Sequence, residues 1–313
     1  MRWSVLGGVA LAVGLSSSAF ADGYSSKYAP YERPFSWSGF YVGANGGYSW
    51  GQSNNDWNIF APADNSNIGF FPNGDPTTCP PTGNAFCASG SDRNKLNGAI
   101  GGVQTGHNWQ TGKFLAGVET DFQLSGQKGD QLFSTSGLVN GTFPFVPGSG
   151  TVSAAYSEQL EWFGTLRGRV GVTADRVLFY ATGGLAYGRV TVDGSANNTV
   201  TFPRGPCSTT PCQFPLGSFS NDVTKVGWTL GGGVEAALGG HWSVKAEYLY
   251  VDLGTVNTTF ATLTQGPIPL CGGRCTFFDA GTGTIHSRIT DNIVRVGINY
   301  HFGGREADVR PLK

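Results

Sequence analysis

What this chain lacks excludes most of the usual classes. Charge is scarce: 20 Lys and Arg stand against 21 Asp and Glu in 313 residues, a formal net charge of -1. No basic excess is present to hold a nucleic acid. After the N-terminus no run approaches the ~18 apolar residues of a spanning helix, which excludes a helical membrane protein. Only four His occur. The one His beside a Ser, His286-Ser287, cannot pair with it, because successive side chains on an extended chain point to opposite sides. A nucleophile needs a base within hydrogen-bond reach and a third group to orient it, so the expectation is no enzyme. The cluster Gly231 to Gly233 precedes no phosphate-loop Lys. No C-x-x-C is found and no His stands at ligand spacing beside a cysteine, so neither a metal nor a cofactor is expected.

What is present is alternation. From Lys113 to Ser125, Phe114, Ala116, Val118, Thr120, Phe122 and Leu124 share one parity, and Gly117, Glu119, Asp121 and Gln123 the other. A period of two is a β-strand. The same split recurs in about eight segments whose apolar parity carries no ionised group through its middle, as a barrel with lipid outside and polar matter inside requires. The segments are 39–51, 96–109, 114–125, 160–173, 177–189, 225–238, 242–253 and 292–302. Trp and Tyr gather at their ends, Trp37, Trp50, Trp109, Trp162, Trp228 and Tyr300 among them, where interfacial girdles form. A soluble sandwich or lipocalin-like barrel would instead turn the apolar parity inward and leave an outer surface of Gly, Ser and Thr.

Connection lengths set the topology. Three connections are tight turns, at 110–112, 174–176 and 239–241. The other four, 52–95, 126–156, 190–224 and 254–291, are long, polar and rich in Asn, Ser, Thr, Gly and Pro. Short periplasmic turns alternating with long external loops, on an even strand count, put both termini in the periplasm. The expected fold is all-β, an eight-stranded antiparallel up-and-down transmembrane barrel over 36–302, in the outer membrane.

The N-terminus has one early cation, an apolar run from Val5 to Leu15 and Ala19-Phe20-Ala21. It reads as a signal peptide over 1–21, followed by a periplasmic lead at 22–35; residues 303–313 are a periplasmic tail. The six Cys form close pairs, Cys79 with Cys87, Cys207 with Cys212, and Cys271 with Cys275, each within one external connection. In an exported chain these read as three intraloop disulfides.

The inward parity collects five acids, Glu119, Asp121, Glu161, Glu235 and Glu247, and four bases, Arg167, Arg169, Lys245 and Arg295. A three-residue turn at 239–241 sets Glu235 opposite Lys245, and a four-residue turn after Thr173 sets Arg169 opposite Tyr180. Buried ions must be paired, and an eight-stranded interior is just wide enough for side chains to fill. A plug is therefore the first reading of these nine residues. The alternative is a narrow ion path, although a selective pore calls for a ring of one sign. On the lipid parity, Val118→Arg is expected to cost ~2–4 kcal/mol; Gln123→Arg, on the inward parity, is expected to be milder.

Trp37-Ser38-Gly39-Phe40-Tyr41-Val42-Gly43, Gly101 to Gln110, Trp162 to Arg169, Tyr180 to Gly188, Gly227 to Glu235, Lys245 to Tyr250 and Val294 to Phe302 together resemble the alphaproteobacterial outer-membrane immunogenic, porin-like proteins with an OmpA-like barrel. The resemblance covers every strand and no loop. It implies an abundant, surface-exposed and mostly structural barrel, with porin or heme-binding activity as alternatives, and carries over no catalytic residue. His107 stands where those proteins more usually have an aromatic, and a tail follows Phe302. The partners it implies are outer-membrane lipid and lipopolysaccharide, the barrel-assembly machinery, and a host or surface ligand at the loops.

Overall fold

The structure is a computed structural model and describes residues 35–61, 68–72, 86–141, 148–201, 209–267 and 276–302. The expected signal peptide, residues 22–34 of the lead, and the tail lie outside the described residues. So do Cys79, Cys207, Cys271 and Cys275, while Cys87 and Cys212 are described in backbone alone.

Among the described residues nine strands follow in chain order: β1 (Gly39–Ala61), β2 (Ile68–Pro72), β3 (Phe86–Thr111), β4 (Phe114–Gly141), β5 (Gly148–Ala174), β6 (Val177–Thr201), β7 (Cys212–Gly239), β8 (Trp242–Pro267) and β9 (Thr276–His301). Eight are long, and each pairs antiparallel with its neighbours until β9 closes the ring on β1, from Tyr41↔His301 upward. The short β2 lies between the upper parts of β3 and β4. Tight turns join Thr111 to Phe114, Ala174 to Val177 and Gly239 to Trp242. Their first residues, Gly112, Asp175 and Gly240, have φ of 61°, 52° and 57°, the left-handed start that two-residue hairpin turns need. The turn after Thr173 is centred on Asp175 and Arg176, one residue later than a pairing of Arg169 with Tyr180 needs, and Arg169 lies opposite Thr182.

The four long connections are not loops. Most of each is strand, so the strands run 23 to 28 residues where a membrane crossing needs about 9–11. Facing side chains show where the membrane ends. From Phe40 to Trp50 on β1 and from Trp242 to Tyr250 on β8 the outer face is apolar, with Phe40 63% exposed and Leu124, across the wall, 66%. Aromatic contacts such as Trp162–Tyr187 (6.3 Å) and Trp228–Tyr250 (5.4 Å) bound that band above, and Trp242–Tyr300 (5.1 Å) and Tyr300–Phe302 (5.2 Å) bound it below. Past the upper belt the outer face turns polar: Gln52, Asn54 and Asp56 on β1, and Arg93 and Lys95 on β3, are exposed. Val190 and Val192 on β6, Val256 on β8 and Ile285 and Ile289 on β9 are buried inside. The chain is apolar outside where lipid bathes it, and above that level it buries apolar residues inside beside Ser53, Asn55, Asn94 and Glu158. Both arrangements weighed from the sequence occur, one above the other.

Bulges make part of this change. On β5 the register slips between Leu160 and Trp162, and the buried positions pass from Ala154, Tyr156, Glu158 and Leu160 to Phe163, Thr165, Arg167 and Arg169. On β8 it slips between Asp252 and Gly254, moving the buried set from Leu249 and Val251 to Val256, Thr258 and Phe260. One extra residue flips every side chain beyond it to the other face.

Candidate functional site

The membrane-level interior holds a closed ionic network. Neighbouring strands place Glu119 and Asp121 on β4, Arg167 and Arg169 on β5, Glu235 on β7, Lys245 and Glu247 on β8, and Arg295 on β9, all at most 3% exposed. Glu119 is the hub: it pairs with Arg167, accepts from Lys245 at 2.8 and 2.9 Å and from the Tyr41 hydroxyl at 2.6 Å, and lies 3.5 Å from Arg169. Arg167 also reaches Asp121 and Glu247, each at 3.0 Å. Arg295 bonds Asp121 at 2.7 Å and Glu247 at 2.6 Å. Arg169 pairs with Glu235 at 2.9 Å and lies 4.1 Å over the Tyr180 ring, whose hydroxyl donates to Glu247 at 3.0 Å. Register does place Glu235 opposite Lys245, yet the Lys245 ammonium crosses the interior to Glu119. Short side chains on the pleat leave long ones free to span the lumen.

Glu161 is not part of this network. It sits in the β5 bulge, its side chain 38% exposed, and faces outward with Arg189 at 3.4 Å. The sequence counted it inward by extending the lower parity of β5 through a position where the register slips. Without it the network balances, with Glu119, Asp121, Glu235 and Glu247 against Arg167, Arg169, Lys245 and Arg295.

Two further layers close the interior, and neither was foreseen. Above the ions lies an apolar layer that includes Phe163, Ala186, Leu249 and Ile293, each at most 1% exposed, continuing up through Val190 and Val192. Below them Trp37 is fully buried in the periplasmic mouth against Leu115, Leu178 and Tyr180, its backbone N–H donating to Gln110 at 2.9 Å. It is a stopper rather than a girdle residue. The sequence hint for the upper layer was Leu249, Val251 and Ile293 on the same parity as Glu247 and Arg295, while Ile289 falls in the connection expected over 254–291.

The same mouth holds His301, Ser243 and Glu235. The Ser243 hydroxyl is 2.9 Å from His301 Nε2 and donates to Glu235 at 2.5 Å, and that carboxylate lies 3.4 Å from the same Nε2. In a catalytic triad the acid orients the other ring nitrogen; here acid and serine share one, under Trp37. Elsewhere, His286 is exposed and bonds Asn257 at 2.7 Å, while Ser287 points inward. His107 lies on the lipid side between the Phe40 and Trp109 rings, at 4.4 and 4.5 Å. Among the described residues no three His, Cys, Asp or Glu groups converge as a metal site.

A closed ring of eight long antiparallel strands, with an apolar band outside and a neutralised interior, defines an integral outer-membrane β-barrel protein. The chain belongs to the outer membrane protein beta-barrel domain family, whose model matches residues 7–302. It is 32% identical over 313 aligned residues to the 31 kDa outer-membrane immunogenic protein of Brucella melitensis, covering 96% of this chain and 100% of that one. It is 26% identical to the 22 kDa outer membrane protein of Rhizobium leguminosarum, over 88% and 82% of the two. The solved structure of Ail, the attachment invasion locus protein of Yersinia pestis, matches with a TM-score of 0.30 and 9% identity over 84% and 99%. That score carries no functional inference. The place of the protein is the bacterial outer membrane.

Proposed function

We propose that the protein is a closed structural barrel that holds a β-sheet body above the outer membrane, and that it neither conducts solutes nor catalyses a reaction. The observation that carries this reading is the stacking inside the wall: Trp37 at the periplasmic mouth, a charge-balanced layer above it, and the layer of Phe163, Leu249 and Ile293 above that. An ion would have to displace paired charges and then pass a filled level where buried Phe163, Leu249 and Ile293 leave only Gln123 and Ser49 as polar neighbours, and each step costs several kcal/mol. Lipid and lipopolysaccharide surround such a barrel, and assembly machinery inserts it. The Brucella relatives are named outer-membrane immunogenic proteins, which suits a body displayed on the surface.

The test is single-channel recording on purified protein whose folding is verified by a heat-dependent gel shift. The expected trace is silent at all voltages. Reproducible conductance steps from inserted protein would replace this reading with a pore lined by Arg167, Glu119 and Arg295.

A further inference from the structure

Above the membrane the wall parts at two seams. β3 and β4 pair no higher than Asn97↔Lys128, and the chain fills the top of that seam itself: β2 runs along β4 from Ile68↔Gly141 to Pro72↔Gly137 and bridges to β3 at Phe70↔Phe86. β7 and β8 pair no higher than Trp228↔Asp252. Beyond that level β7 is laddered to β6 and β8 to β9, and among the described residues no strand occupies this second seam. Its edges meet through side chains: Asn221 donates to Thr258 at 2.9 Å, and the Phe219 and Phe260 rings stack at 4.5 Å.

A strand laddered on one side keeps a row of N–H and C=O groups without ladder partners on the other. Natural edges are usually protected by charge or proline. The β8 stretch from Leu253 to Gly266 contains neither and is rich in Thr. Its outward residues Thr255, Asn257 and Thr259 are exposed, and its inward Val256, Thr258 and Phe260 are buried. An added strand would find a polar row outside and a mostly apolar row inside, broken by Thr258.

We propose that the β7/β8 seam is a strand-addition site, and that its occupant is an extended, uncharged, alternately polar and apolar segment of another polypeptide laid antiparallel along β8. The occupied β3/β4 seam shows that this body accepts a strand between its two edges. A second copy of this chain fits less well. Copies in one membrane share an orientation, so their β8 edges would run parallel, the weaker pairing, whereas a free segment can reverse. Backbone bonds would supply affinity and the alternating side chains selectivity. The proposal goes beyond the structural role and stands whether or not the barrel conducts.

The test uses the full-length folded protein in detergent, a fluorescent peptide of alternating Thr and Val, and a control peptide with Pro at every second position. The expected result is saturable binding of the first peptide only, with slowed hydrogen exchange in β8 between Thr255 and Gly266 and none in β6. In the Asn221→Cys/Thr258→Cys variant, a disulfide across the seam should reduce binding to the control level, and reductant should restore it. Reductant should leave peptide binding by the unmodified protein unchanged. If that variant does not fold, the exchange map of the unmodified protein decides. No saturable binding, equal binding to the locked seam, or protection elsewhere would overturn the proposal. Self-association of the free protein through this edge would overturn the choice of occupant.

Discussion

Glu119 shows what a single buried residue does in this barrel. It holds Arg167, Lys245 and Tyr41 at once and stands near Arg169, so losing its charge strands cations that have no water to turn to. Glu119→Gln is expected to cost about 3–5 kcal/mol, read as a lower midpoint in urea unfolding from lipid vesicles. Adding Lys245→Met should recover much of the loss, because the excess cation goes too. Val118, on the lipid face and 46% exposed, should lose ~2–4 kcal/mol on replacement by Arg. Gln123→Arg is no longer expected to be mild: Gln123 is fully buried, and its amide has no polar partner among the described residues, so the variant adds a cation to a balanced interior. Folding yields of the two variants should be comparably low. Glu158 lies above the Trp162 belt, fully buried between Ser53 and Asn94 at 3.1 Å each. Burial pushes its carboxyl up, and the hydrogen bonds of Ser287, Asn94 and Ser53 only partly offset that. A raised folded-state value means no penalty below the unfolded value of about 4.3, and stability lost as pH rises through the folded one. The heat-shift temperature should therefore fall as pH rises above about 4.3 by this contribution, and Glu158→Gln should flatten that slope. The charges were legible because ionised residues on one parity of a strand must go inward; Glu161 was misplaced because parity counting does not see a bulge.

At the scale of the strand, bulges switch which parity faces inward on β5 and β8. Leu253 is the added residue on β8, followed by Gly254 at φ 72° with its N–H bonded to Asp252 at 2.8 Å. Deleting Leu253 is expected to turn Val256 and Phe260 outward and Thr255 and Asn257 inward. Limited proteolysis of intact cells should then cleave above the membrane while the crossing remains protected; an unchanged digest would show that the bulge does not set the facing. The membrane halves of the strands were legible because lipid enforces a sharp contrast between the two parities. Their upper halves were not. There the outer residues are Ser, Thr, Asn and Asp, the composition of loops, and the inner ones mix Val and Ile with Ser, Gly and Thr. Pairing partners across the sheet, rather than local preference, make these stretches strands.

For the whole molecule, the proposed closure rests on three layers and not on one plug. Trp37→Ala should loosen the periplasmic mouth and leave bilayer recordings silent, because the ionic and apolar layers still block the path; steps in this variant would show that the stopper alone seals the barrel. The sequence by itself determined the class, the eight crossings, the lipid-facing side and the residues of the ionic network other than Glu161. It could do so because alternation is a local signal, fixed by which solvent each face of a strand meets. Tertiary structure alone decided how high the strands rise, that the facing inverts above the membrane, which acid each cation reaches across the lumen, and that Trp37 enters the mouth. Those outcomes depend on register, bulges and distances between residues far apart in the chain, and ring closure fixes them all together.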